Sequence, residues 1–189
     1  MEILGAAAEL AAVNEMLASV GEDPIEALDI LPPSGLTALA ILRATSRDTQ
    51  EEGFWFNEEV AYELKPDPQT KEITIPDNIL RIDSEQGDCI RRGNRLYDKA
   101  AKSFTFDEPV KCEVVLHVPW SYLPSVARRY FIALATEKFI ESFPAAQATT
   151  DARLRNLSRA KAAFEKAAIK NADYNLLGNQ TIQYHLRRA

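Results

Sequence analysis

Gly53-Phe54-Trp55-Phe56-Asn57-Glu58-Glu59-Val60-Ala61-Tyr62-Glu63-Leu64 is the stretch at which the chain changes period. Before it, apolar residues recur every three or four positions. Within it, Phe54-Trp55-Phe56 leads into Val60, Tyr62 and Leu64 at alternate positions, the pattern of a half-buried strand. Helical spacing returns only after Pro119. Helices, then strands, then helices in 189 residues predict an α+β fold. Its helical bundle is built from the N- and C-terminal helices, with a central, mostly antiparallel β insertion, because no single helix can bury its apolar stripe alone. The expected division is residues 1–53 and 119–177 for the bundle, 54–118 for the insertion and 178–189 for an extended C-terminal tail.

Upstream, Ala6 to Val20 reads as a helix with Leu10, Val13, Leu17 and Val20 on one face, stopped by Gly21 and Pro24. Pro32-Pro33-Ser34-Gly35 breaks the chain, and Ser34 stands where it can cap a second helix from Leu36 to about Glu52. That helix has Leu36, Leu39, Ile41 and Leu42 as its apolar positions. Downstream of the junction, Pro66 to Thr70 is a turn. Ile73 with Ile75, Ile79–Ile82, Cys89–Arg92, Arg95–Tyr97, Phe104–Phe106 and Val110–Val118 are short strands, with Gly93-Asn94 as a hairpin turn. Pro124 stands near the first turn of a helix running to Phe143, with Ile132, Thr136, Phe139, Ile140 and Phe143 on one face, and Pro144 ends it. The last helix starts near Thr150-Asp151 and carries a stripe of Leu154, Leu157, Lys161, Phe164 and Ala168.

Apolar residues are 46% of the chain, charged residues 26% and the net charge is −6, the composition of a globular domain rather than a disordered chain. No apolar run approaches the roughly 18–20 residues that span a bilayer, so no membrane partner is expected. Gly5-Ala6-Ala7-Ala8 lacks a basic stretch before it, which argues against a secretory leader. The charge is unevenly placed. Residues 1–60 hold twelve acids against two bases, Arg43 and Arg47, whereas residues 150–189 hold eight bases against three acids. Either the first and last helices lie side by side, or an acidic face of one copy meets a basic face of the next.

The chain has no glycine-rich phosphate loop and no nucleophile elbow, and its two cysteines, Cys89 and Cys112, lack metal-ligand spacing. The expectation is no catalytic residues, no metal and no cofactor. His117, in an apolar strand, is a structural histidine before it is a general base, and His185 is a solvated one. Glu51-Glu52 and Glu58-Glu59 flank the aromatic triplet as carboxylates do in sugar hydrolysis, but they also suit a helix end and a turn. Trp55 and Trp120 are core aromatics or partner anchors. Arg91, Arg92 and Arg95 surround the Gly93-Asn94 turn. Alternation puts Arg91 and Arg92 on opposite faces, leaving ordinary surface and phosphate or partner contact both open.

Ala7 to Pro24, with Ala12-Val13-Asn14 in the helix and Gly21-Glu22-Asp23-Pro24 after it, resembles the opening of the tail tubular protein A family, the head-to-tail adaptors of short-tailed, autographivirus-type bacteriophages. Gly53-Phe54-Trp55-Phe56-Asn57 looks like the family's Gly-x-x-Phe-Asn junction. Arg92-Gly93-Asn94-Arg95-Leu96-Tyr97-Asp98 looks like its hairpin of glycine followed by Tyr-Asp. Leu123-Pro124 to Phe143 is similar to its proline-started aromatic helix, and Asp173-Tyr174-Asn175-Leu176-Leu177 to its tyrosine- and asparagine-containing C-terminal segment. Ile30 to Gly35 departs from the family in being a shorter, more apolar link.

The resemblance implies a non-enzymatic virion protein of the tail, at the head-tail interface, assembled in the host cytoplasm. It implies a ring of twelve copies under the portal protein and above the tail nozzle protein (tail tubular protein B). Tail fibres attach nearby, and double-stranded DNA passes through without sequence recognition. A lumen that must not hold DNA is expected to avoid strong basic charge. The expected contacts with the portal or a neighbouring subunit are Tyr174, Asn175, Leu176, Leu177, Arg187 and Arg188. Those expected with the nozzle are Pro66, Asp67, Arg91, Arg92, Asn94 and Arg95. A glycan-hydrolysing tail component and a DNA-binding regulatory module built on the basic C-terminal helix are the alternatives.

Overall fold

A computed structural model describes residues 2–84, 88–143 and 150–178, with side chains within 6–84, 88–143 and 151–171. The fold is α+β. In chain order it comprises α1 (Glu2–Ala18), α2 (Pro33–Gln50), β1 (Glu58–Leu64), β2 (Ile79–Ser84), β3 (Cys89–Arg92), β4 (Arg95–Asp98), β5 (Val110–Leu116), a 3-10 turn at Trp120–Tyr122, α3 (Ser125–Glu141) and α4 (Thr150–Gly178). It divides into two compact units, Met1–Thr49 with Pro119–Ala189, and Gln50–Val118. No described helix is long and apolar enough to cross a membrane.

The helical unit closes over Val13, Met16 and Leu17 of α1, Leu39 and Leu42 of α2, and Phe139 of α3, all buried. Side chains three and four apart meet on one face of each helix, and each such burial contributes roughly 1.5–3 kcal/mol. After α1 the chain turns at Gly21, whose φ of +79° favours glycine. Asn14 then ties the loop back. Its Nδ2 donates to the carbonyl of Ile25 at 3.0 Å, and its Oδ1 accepts from the Ile25 amide at 2.9 Å. Arg43 of α2 holds Glu9 of α1 through two hydrogen bonds of 2.8 and 2.9 Å, the two-pronged geometry a guanidinium offers a carboxylate. Ser34 is not the cap. The helix starts one residue earlier, at Pro33, where the missing N–H costs nothing, and the Leu36 amide bonds the Pro32 carbonyl at 2.9 Å. Leu36 is 57% exposed, outside the expected buried face. α4 meets α3 through Phe164, stacked on Tyr130 at 5.1 Å and tilted against Phe131 at 6.2 Å. Of the expected α4 stripe only Phe164 is fully buried, and Leu154 is 47% exposed.

The β unit has a three-stranded antiparallel sheet, order β1-β5-β2, and the β3-β4 hairpin. Leu64, Ile73, Ile75, Ile79, Leu96 and Val114 are its buried core. Phe54–Phe56 is a turn rather than strand. The amides of Asn57 and Glu58 both bond the Phe54 carbonyl at 3.0 Å, and Asn57 Oδ1 accepts from the Phe54 amide at 2.8 Å. The alternation expected through Val60 is broken by a bulge. The register slips between Glu59 and Tyr62, Ala61 takes a φ of +56°, and Val60 is 77% exposed. Ile73–Ile75 and Phe104–Phe106 make single bridges instead of strands, Glu72 with Thr105 and Thr74 with Arg95.

The two ends of this unit are tied together. Gln50, fully buried, donates from Nε2 to the Val118 carbonyl at 3.2 Å and accepts from the Val118 amide at 2.8 Å. Asn57, 2% exposed, donates to the carbonyls of Gln50 and Leu116, both at 2.9 Å. Asn57→Ala would leave buried amide and carbonyl groups unpaired. A loss of roughly 2–4 kcal/mol in urea unfolding is expected, with Asn57→Asp no milder because a carboxylate cannot donate to those carbonyls.

Candidate functional site

The Gly93-Asn94 hairpin forms as the sequence reads it, with Arg92 opposite Arg95 and Gly93 at a φ of +64°. Its two faces differ. On one, exposed Arg91 is held along the backbone, donating from Nη1 to the Ile79 carbonyl at 2.6 Å and from Nε to the Gly93 carbonyl at 2.9 Å. On the other, the Arg92 guanidinium lies 3.7 Å over the Tyr97 ring, Tyr97 meets Phe104 edge-on at 4.9 Å, and Arg95 lies 4.3 Å over Phe104. Arg95 also pairs with Glu72 at 2.7 Å. Each stacked pair is worth about 0.5–1 kcal/mol at such exposure. Arg92 and Arg95 therefore share a surface of alternating guanidinium and ring, and Arg91 does not join it. The Asn94 carbonyl accepts from the Ile75 amide at 2.8 Å, fixing the turn to the segment beside it.

That segment also brings the Pro66–Thr70 turn close. The Asp67 amide bonds the Glu72 carbonyl at 2.9 Å, and Glu72 is the partner of Arg95. Asp67 Oδ1 accepts from the amides of Thr70 at 2.8 Å and Gln69 at 2.9 Å, and from the Thr70 hydroxyl. These bonds to the charged form hold the Asp67 carboxyl below the ordinary carboxylate range, the Thr70 amide contributing most. Lys71 pairs with Asp107, which lowers that carboxyl too.

Of the expected portal or neighbour contacts, Tyr174, Asn175, Leu176 and Leu177 fall within α4, which continues to Gly178. The 29 residues of α4 contain no proline, so nothing in them stops the helix from running on. The side chains of Tyr174, Asn175, Leu176 and Leu177, together with Arg187 and Arg188 and the expected tail, lie outside the described residues, as does His185.

The four glutamates flanking the aromatic triplet differ in their surroundings. Glu58 faces Arg81 at 3.8 Å, and Arg81 Nη1 donates to the carbonyls of Glu51 and Glu52 at 3.1 and 2.9 Å. Glu51, Glu52 and Glu59 point to solvent. His117 is half-buried at the end of β5, its amide bonded to the Asn78 carbonyl at 2.6 Å. Cys89 is buried, and burial pushes its thiol upward, away from the reactive thiolate. Among the described residues no group of three or more His, Cys, Asp or Glu side chains can hold a metal ion. Trp55 packs edge-on against Phe56 at 5.1 Å. Trp120 packs against the helical core, and among the described residues its buried Nε1 meets no acceptor. An unpaired buried N–H costs roughly 1–3 kcal/mol.

The helical unit carries a feature that the linear sequence did not reveal. A trough over α3 is flanked by α1 and α4, with two adjoining hollows of about 380 and 260 Å³ that share Glu15, Arg129 and Ile132. Its walls come from three separated segments, and its depth comes from alanines, which carry no pattern a sequence reading would single out.

Comparison with known proteins gives the chain a class: a structural component of bacteriophage tails. A family model described as "Tail tubular protein" matches residues 10–174, and the chain belongs to that family. The curated relative "Tail tubular protein A" of Klebsiella phage KP34 is 35% identical over 124 residues, 63% of this chain and 64% of that protein. The match thus spans just under two thirds of the relative's length.

The Asp67 turn makes an acid-side prediction. Its carboxyl should titrate by NMR below the ordinary range for an aspartate. The stability that it adds should be full above its unfolded-state value and disappear as pH falls through the lower folded value. Asp67→Ala should remove that part of the acid-side loss.

Proposed function

We propose that this chain is a non-enzymatic adaptor of the phage tail. Twelve copies form a ring that joins the portal protein to the tail nozzle protein and lines the channel through which the genome leaves. Tail fibres attach near the nozzle side. The observation that carries the reading is the match to the tail tubular family across residues 10–174. Two features of this chain support it. Its ends are of opposite sign, with twelve acids against two bases in residues 1–60 and eight bases against three acids in 150–189, and a ring needs two different faces on every copy. The basic residues of the β unit that were candidates for gripping DNA are also engaged internally: Arg91 on backbone carbonyls, Arg92 on Tyr97, and Arg95 on Phe104 and Glu72. Only Arg95 has a carboxylate partner among these, but all three guanidinium groups are held by contacts within the unit, which leaves them less free to follow a passing phosphate backbone.

In this reading the helical unit faces the portal, and α4 with Tyr174, Asn175, Leu176, Leu177, Arg187 and Arg188 docks there or on a neighbour. The β unit faces the nozzle through Pro66, Asp67, Arg91, Arg92, Asn94 and Arg95. Assembly takes place in the host cytoplasm, and the finished protein sits in the virion tail. Deleting residues 173–189 should abolish cosedimentation with the portal protein while leaving nozzle binding intact. Reversing charge at Arg91, Arg92 and Arg95 should do the opposite, weakening nozzle binding at least tenfold. Portal-bound protein after the deletion, or unchanged nozzle binding after the reversal, would remove that assignment.

A further inference from the structure

The trough over α3 is open for a physical reason. Ala8, Ala11 and Ala12 of α1 stand on one side and Ala160 and Ala163 of α4 on the other, so no long side chain reaches across Ile132 at its centre. Half-buried Arg128 and exposed Arg129 and Arg159 rim it, against the single carboxylate of Glu15. Among the described residues none of the three arginines makes an ion pair. Trp120 lines the same trough, with its buried Nε1 unpaired among the described residues. The surface is apolar at its centre and basic at its edge.

The link between α1 and α2 has the opposite character. Glu22, Asp23, Glu26 and Asp29 are exposed, Ile30 is 84% exposed and Leu36 57%, and no basic residue lies between Arg43 and the start of the chain. The link cannot fold into its own molecule's trough. Asn14 holds it at Ile25 by two hydrogen bonds, and Leu28 and Leu31 pack on the α1–α2 core.

We propose that the acidic, isoleucine-tipped α1–α2 link of one copy seats in the basic trough over α3 of the next. Ile30 covers the alanine-lined centre, and Glu26 and Asp29 meet Arg129 and Arg159. Each copy presents both halves on different surfaces, so the contact is head-to-tail and closes into a ring when its rotation allows. The inference rests on the ring reading above and names the surface through which the ring is made.

The test uses four full-length proteins: wild type, Arg129→Glu with Arg159→Glu, Glu26→Arg with Asp29→Arg, and the chain carrying all four changes. Native mass is measured alone up to millimolar concentration and in tails isolated from phage carrying the gene. Each double variant should associate at least tenfold more weakly than wild type. A one-to-one mixture of the two should regain the wild-type mass, because every contact in an alternating ring is again complementary. The four-change chain should regain it too, and both recoveries also show that the variants are folded. Wild-type assembly by the Arg129/Arg159 variant, or a mixture that stays dissociated, would overturn the trough as the contact and leave the ring reading standing. A wild-type protein that is monomeric in both settings would overturn both.

Discussion

The pairing of the Gln50 side chain with the backbone of Val118 is the interaction on which the rest of the structure depends. A β segment inserted between helices must begin and end at nearly one place, and its first and last residues then lack strand neighbours. Gln50 supplies the missing neighbour from its side chain, since its amide offers an N–H and a C=O side by side, as a strand residue does. Asn57 adds a second tie, from Gln50 to Leu116, and is buried so that no water competes. With the ends held in this way, Leu64, Ile73, Ile79 and Val114 close a core of their own, and Val13, Leu42 and Phe139 close another. The exit also uses Gly53. Its φ is +85°, and an added Cβ would fall 2.2 Å from Glu58 Oε1, so a side chain there would strain the backbone and displace the Glu58 carboxylate from beside Arg81.

The same logic explains which parts of the fold could be read from the sequence. Spacing alone identified Val13, Leu17, Leu39, Leu42, Phe139 and Ile140, because a one-sided core imposes a period of 3.6. The family-like motifs were informative for a different reason. Asn14, Asn57 and Asp98 are polar residues whose side chains bond backbone, at Ile25, at Gln50 and Leu116, and at Ala100 and Ala101. They specify where the chain turns. Propensity misled where such a tie prevails. Phe54-Trp55-Phe56 has strand composition, but Asn57 folds it into a turn. Ile73 and Ile75 are buried as strand residues are, yet make only isolated bridges.

The candidate surfaces were legible in part. Alternation separated Arg91 from Arg92, and the hairpin keeps them apart, but the pairing of Arg95 with Glu72 depends on a segment 23 residues away. The trough over α3 was not legible at all, since alanines on α1 and α4 are ordinary helix formers until two helices stand on either side of a third. The charge asymmetry was visible from the start. Its meaning is sharper now that carboxylates crowd the exposed α1–α2 link while arginines rim a trough elsewhere in the same unit.

In the function proposed above, the chain builds its assembly through complementary surfaces. The most direct measurement is electron microscopy of the purified protein mixed with its portal protein. The account predicts closed rings of twelve copies seated coaxially on the portal, with one kind of contact repeated around each ring. Protein that remains monomeric and unattached to the portal would contradict it.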